Sequence, residues 1–205
     1  MRIFQIGFDN CGAAALNQLF QASGVRTLHG SGRYWRLQGH PAVAGANVQL
    51  LIHRNFQAGL PGVTGFDDFQ AFFGMEFTQN GWVIENYRHF ADLARDYPDA
   101  RFLLNTRDCD AWLAARVQRD DGLYLAQAME RTGMSRRGVL NLWVDDFHRH
   151  HDMVRDYFRA APDRLLEFDV DTTPVKTLAR FVRPGLRIWP RHWRRAQAAE
   201  ESRAA

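Results

Sequence analysis

Lysine is almost missing from this chain: Lys176 is the only one in 205 residues, so a net charge of +3 rests on arginine. No Gly-x-x-x-x-Gly-Lys-Ser/Thr pattern occurs, which disfavours a nucleotide triphosphatase of the P-loop type. Cysteine is scarce as well. Cys11 and Cys109 form no disulfide framework, and a reducing compartment suits both. No apolar run approaches the roughly 18–20 residues that span a bilayer. The sequence enters the apolar stretch Ile3-Phe4-Gln5-Ile6 without a signal peptide, so the expectation is a cytoplasmic protein with no membrane partner. Internal repeats and linker composition are absent too.

What is present is enough apolar material for a core: 46% of the residues are hydrophobic. A single domain over residues 1–195 is expected, with a disordered tail over 196–205. The densest basic stretch runs from Arg183 to Arg195, with five arginines and His192. It reads as a solvated segment or as an arm reaching an anionic ligand. The charge balance of the remainder argues against nucleic acid as a partner.

Arg2 to Phe8 reads as a buried strand, Ala13 to Ala22 as a helix with Leu16, Leu19 and Phe20 on one face, and Val25 to Leu28 as a second strand. His29-Gly30-Ser31-Gly32 is a loop. Pro41 opens a helix to about Gln57, and Ala71-Phe72-Phe73 is a candidate third strand. Glu85 to Tyr97 is amphipathic and helical, stopped by Pro98. Arg101 to Thr106 is a strand, and Asp108 or Asp110 caps a helix through Arg119. A long helix covers about Ser135 to Phe158, Arg164 to Val170 is a strand, and Pro174 opens a last short helix. Strands alternating with helices predict an α/β fold of three layers: a mostly parallel sheet of four to five strands with helices on both faces. Ligands of such folds sit outside the carboxyl ends of the strands, which directs attention to the segments that follow each strand.

The first of these, Asp9 to Ala15, has the makings of an anion site. A strand, a Gly-containing turn and a helix N-terminus present backbone N–H groups and a favourable dipole. An ordinary strand-to-helix turn has the same spacing. The run Ile6-Gly7-Phe8-Asp9-Asn10-Cys11-Gly12-Ala13-Ala14-Ala15-Leu16 also resembles the opening of bacterial sulfotransferase-like proteins. Their loop reads Gly-Phe-x-Lys-Cys/Thr-Gly-Thr-Thr-Ser-Leu and holds the 5′-phosphosulfate of 3′-phosphoadenosine-5′-phosphosulfate (PAPS). Phe102 to Arg116 is similar to that family's strand-loop-helix for the 3′-phosphate, where an arginine and a serine eight residues later do the work. Those positions are Arg107 and Ala115. His150 to Phe158 followed by Arg164 to Val170 resembles its late helix and last strand. The resemblance spans roughly residues 3 to 182.

The resemblance implies a PAPS-dependent transfer of a sulfuryl group to an unidentified small-molecule or glycan acceptor, without a metal. Its implied cofactor site is Asn10, Cys11, Gly12, Ala13, Ala14, Ala15, Arg107 and Ala115. Yet Asn10 replaces the lysine, Ala13, Ala14 and Ala15 replace hydroxyl residues, and Ala115 replaces the serine. A charge-assisted hydrogen bond contributes about 1.5–3 kcal/mol and a neutral one about 0.5–1.5 kcal/mol, so the losses weaken phosphosulfate binding by several kcal/mol. Two alternatives follow: a non-catalytic binding or scaffold protein that has lost phosphosulfate binding, and another group-transfer enzyme on the same fold.

Sulfuryl transfer needs a base for the acceptor's proton. His29, after the second strand, and Glu76, after the third, are the candidates. His148 with His151 or Asp152 has helical spacing but no further ligand, so no metal site is expected. Cys11 and Cys109 lie near helix N-termini, a setting that lowers a thiol pKa. The segment Trp35 to Phe77 is where acceptor specificity is expected, with Phe66, Phe69, Phe72, Phe73 and Phe77 as core or pocket residues. Trp143, Trp189 and Trp193 are candidates for a partner surface, and a homodimer is compatible with the sequence.

Overall fold

The structure, a computed structural model, describes residues 1–30, 47–79 and 82–204. In chain order its elements are β1 (Ile3–Gln5), α1 (Ala13–Ala22), β2 (Thr27–His29), α2 (Val48–Gln57), β3 (Ala71–Phe73), β4 (Glu76–Gln79) and β5 (Trp82–Glu85). They continue with α3 (Phe90–Asp96), β6 (Arg101–Thr106), α4 (Cys109–Gln118), α5 (Leu123–Thr132), α6 (Arg136–Phe158), β7 (Leu165–Asp169), α7 (Val175–Phe181) and α8 (Trp193–Ala204). Five strands form one sheet in the order β2-β3-β1-β6-β7, and every neighbouring pair is parallel. The expected α/β class is therefore observed.

Alternation along the strands builds the two faces. Ile3, Leu103, Ala71, Phe73 and Phe168 point into a core with α1, α7 and α8. Phe4, Phe72, Phe102 and Leu104 point the other way, into a larger core with α2 to α6. Phe4 pairs in register with both Phe72 and Phe102, and its ring stacks at 5.1 and 5.7 Å from theirs. These aromatic contacts run across three adjacent strands, a strong use of cross-strand pairing.

The topology also fixes where a ligand can enter. From β1 the chain crosses by α1 to one edge; from β6 it crosses by α4, α5 and α6 to the other. Those helices lie on opposite faces, so the crossovers diverge between β1 and β6. By the general rule for open parallel sheets, this divergence marks the carboxyl ends of the two strands as the place of the ligand crevice.

Several expectations need correcting. Glu76 to Glu85 is an antiparallel hairpin outside the main sheet, with Phe77 opposite Ile84. A short helix, α5, interrupts the stretch between α4 and α6. Residues 196–204, expected as a disordered tail, continue α8; Ala196 is 4% exposed and packs in the α1 core. Ser31, Gly32, Trp35 and the helix start at Pro41 lie outside the described residues. Phe66, Phe69, Phe72 and Phe73 are buried core residues. Trp143 and Trp193 are buried as well, which removes both from the list of partner-surface candidates.

Candidate functional site

The β1–α1 turn is held from behind by side chains. Five consecutive backbone carbonyls, from Gly7 to Cys11, each accept a side-chain hydrogen bond. Gln5 Nε2 donates to Gly7 O at 2.5 Å, and Asn105 Nδ2 donates to Phe8 O and Cys11 O at 3.1 and 2.8 Å. Trp112 Nε1 donates to Asp9 O, and Arg107 Nη1 to Asn10 O, both at 3.2 Å. Asn105 Oδ1 closes the set by accepting from the Gly7 amide at 3.0 Å and from Gln5 Nε2 at 2.7 Å. A side chain on Gly7 would collide with the Asn105 backbone carbonyl, so the close approach requires glycine.

With its carbonyls bonded to side chains, the turn keeps its amides from Asn10 to Ala14 out of the hydrogen-bond network of the described residues. Asn10 has φ 66° and Gly12 φ 74°, with Cys11 between them at negative φ. Such sign changes gather successive N–H groups into an anion-binding concavity. Gly12 is the N-cap of α1, and no side chain caps this helix. Asn10 Nδ2, at the position where the resemblance puts a lysine, is buried and has no hydrogen-bond partner.

Arg107, the expected 3′-phosphate ligand, is already engaged. Its Nε and Nη2 grip Asp171 at 3.1 and 2.9 Å in a two-pronged pair. Asp171 is positioned by the turn after β7, where Asp169 Oδ1 accepts from the amides of Asp171 and Thr172. Val170 packs against Gly12, so the β1–α1 and β7–α7 turns meet at this point. Ala115 is half-buried on α4.

A buried ion cluster lies beside the same turn. Glu76 is 1% exposed and lies 2.6 Å from Arg119 Nη1 and 3.7 Å from Arg116 Nη1. Burial alone would raise its pKa; the Arg116 and Arg119 guanidiniums outweigh burial and hold the carboxyl below its usual value. Glu76 is therefore a fixed countercharge, a poor setting for a base. Arg116 is also buried, and the rings of Phe8, Trp112, Tyr124 and Trp143 surround its guanidinium at 4.9–5.9 Å. Arg119 extends toward the turn, with Nη2 4.0 Å from Asp9 Oδ2.

His29, the other base candidate, ends β2 half-buried against Gly74; a methyl group there would lie 2.9 Å from its Nε2. His150 and His151 are core groups. His150 Nε2 donates to Ile6 O at 2.7 Å, and burial lowers its pKa to about 4. His151 Nε2 lies 2.9 Å from Thr106 Oγ1, and His148 is exposed away from it. Among the described residues no group of three metal-ligating side chains occurs. The thiol expectation is corrected: burial pushes Cys11 well up, and burial with the flanking Asp110 and Asp108 raises Cys109, outweighing the helix N-termini.

Sequence reasoning missed Asn105, Gln5, Trp112, Arg116 and Arg119; Asp171 lies in the segment after the last strand, to which the fold rule had pointed. Asn105 left one signal, a lone amide ending the apolar run Phe102-Leu103-Leu104. Compared with known proteins, the chain matches no family model and no curated protein.

Proposed function

We propose that this chain is a sulfotransferase-type protein that takes the phosphosulfate end of PAPS in the β1–α1 turn, using backbone amides and the Asn10 side chain where related loops use lysine and hydroxyls. One observation carries the reading. The carbonyls of Gly7 to Cys11 are all tied back by side chains, which leaves the amides of Asn10 to Ala14 to meet an oxyanion. The 3′-phosphate falls to Arg107, which follows β6 and borders the same turn. The acceptor is a small molecule or a glycan.

In the transfer, an acceptor oxygen or nitrogen bonds to sulfur while sulfur's bond to the bridging phosphate oxygen breaks. The acceptor's proton passes to a base, and adenosine 3′,5′-bisphosphate leaves. Amide donors aimed at the bridging and terminal oxygens stabilise charge as it develops there. A second reading, a binding protein without transfer, draws on two observations: Glu76 is neutralised by two arginines, and Arg107 is occupied by Asp171. Calorimetric titration with adenosine 3′,5′-bisphosphate tests the shared part of both. Saturable binding that is lost in Arg107→Ala is expected, and no heat at millimolar ligand overturns the proposal.

A further inference from the structure

The β1–α1 turn has no cation of its own, because Asn10 stands where the resemblance puts lysine. Arg107 does not fill the gap: two of its nitrogens hold Asp171 and the third holds the Asn10 carbonyl. Resting on the reading above, we propose that Arg119 supplies the missing positive charge at the phosphosulfate end of the site.

Position comes first. Arg119 Nη2 lies 4.0 Å from the carboxylate of Asp9, the residue that leads into Asn10, and Trp112 fixes the Asp9 carbonyl at 3.2 Å. The guanidinium also lies over the Tyr124 ring at 4.5 Å, so it has a defined place beside the turn. Exposure separates it from its neighbour: the Arg119 side chain is 21% exposed and that of Arg116 is 4%. Arg116 is sealed in its aromatic cage, whereas Arg119 borders solvent.

Donor use is the second point. Arg119 gives a close hydrogen bond through Nη1 alone, to Glu76. Its contacts to Asp9 and Asp120, through Nη2 and Nε, are 4.0 and 3.9 Å, beyond hydrogen-bonding range. An arriving oxyanion would compete with those two long contacts and leave the Glu76 bond intact. Glu76 thus positions the guanidinium, and Arg116 at 3.7 Å shares the neutralisation of that buried carboxylate.

Backbone conformation is the third. α4 ends at Gln118, and the next turn contains three left-handed residues in a row: Asp120 at φ 52°, Asp121 at 56° and Gly122 at 81°. A left-handed residue with a Cβ costs on the order of 1–2 kcal/mol, less for aspartate, and such conformations persist where surrounding contacts over-determine them. Here the chain reverses directly after Arg119 and keeps that side chain at the crevice rather than running on with α4.

The chemistry follows from the fork of the guanidinium, which remains charged and matches the oxygens of sulfate and phosphate. Placed beside the turn, it stabilises negative charge on the bridging oxygen as the sulfur–oxygen bond breaks.

Titration with two half-ligands tests this: adenosine 5′-phosphosulfate, which carries only the phosphosulfate end, and adenosine 3′-monophosphate. Arg119→Gln, which keeps a donor for Glu76, is expected to lose about tenfold or more in affinity for the first ligand and to change the second by less than about twofold. Arg107→Ala is expected to lose about tenfold or more for the second ligand, with a smaller loss for the first because it also frees the Asn10 carbonyl. Adding Asn10→Lys to Arg119→Gln is expected to restore phosphosulfate affinity, which a merely structural role for Arg119 would not allow. If wild type binds the phosphosulfate ligand and Arg119→Gln binds it equally well, the inference falls and the reading of the site stands. Equal loss for both ligands, or no rescue by lysine, also overturns the inference. If wild type binds neither nucleotide at millimolar concentration, the reading falls and takes the inference with it.

Discussion

Arg107 and Arg119 flank α4, one just before it and one just after, and they reach neighbouring residues of the same turn, Asn10 and Asp9. Their anchoring differs. Arg107 is paired with Asp171, whose side chain is 45% exposed, on a surface turn. Arg119 is paired with Glu76, which has no exposed side-chain surface and shares its charge with Arg116. An exposed pair adds about 0–1 kcal/mol to stability and exchanges its carboxylate easily for another anion. A buried group of this kind is part of the core, and breaking it leaves a charge without compensation. One arginine is thus held by a replaceable lock, the other by a fixed one.

Removing Glu76 should produce the largest effect. Glu76→Ala strands Arg116 in its cage of rings, and a loss of about 3–5 kcal/mol in urea unfolding is expected. Because this carboxyl titrates below its usual value in the folded chain, its contribution is full above the unfolded carboxylate pKa and is lost as pH falls through the folded value. A variant of unchanged stability would mean that the cluster is ornamental.

Asn105→Ala removes the donor to Phe8 O and Cys11 O and the acceptor for Gly7 N and Gln5. A cost of about 3 kcal/mol is expected, together with weakened bisphosphate binding, because the carbonyls that shape the cradle are released. Stability lost with binding intact would separate the turn's scaffold from its function.

His150 gives a pH signature on the same side of the sheet. Its folded pKa of about 4 lies below the ordinary 6.5, so the unfolded chain takes up the proton first. Stability should fall as pH drops from about 6.5 to about 4, by up to about 3 kcal/mol, and His150→Gln should flatten that slope. Unfolding midpoints measured across this range decide the matter.

At the exposed pair the effects are smaller. Gly12→Ala, at φ 74° and with Val170 Cγ1 only 2.7 Å from the added methyl, should cost about 1–2 kcal/mol and loosen the contact between the two turns. Asp171→Ala should leave stability within about 1 kcal/mol and raise affinity for adenosine 3′-monophosphate by about tenfold, because the fork of Arg107 is freed. Unchanged affinity would mean that Asp171 is no competitor.

Much of the fold was legible because periodicity and strand length are local. The apolar runs Ile3 to Phe8 and Phe102 to Leu104 and the helix from Ala13 to Ala22 needed no tertiary information. The hairpin at Glu76 to Glu85 was overlooked although its sequence carries a local signal, Asn80-Gly81 between two short runs with apolar residues. α8 was hidden by its alanine- and arginine-rich composition, which looks like tail until Trp193 and Ala196 are seen packed on α1. The turn from Asp9 to Ala15 was located correctly, since a strand, a glycine and a helix start mark it. Its support was invisible because Gln5, Asn105 and Trp112 come from three different elements. Arg119 and Glu76 are 43 residues apart, and no local pattern links them.

The central claim, that the backbone amides of the β1–α1 turn bind an oxyanion, is tested most directly by nitrogen–proton correlation NMR during titration with adenosine 3′,5′-bisphosphate. Saturable shifts of the amides of Asn10 to Ala14, with the Arg107 Nε–H moving in parallel, are the expected result. Spectra unchanged at millimolar ligand, or shifts that leave those amides still, would contradict it.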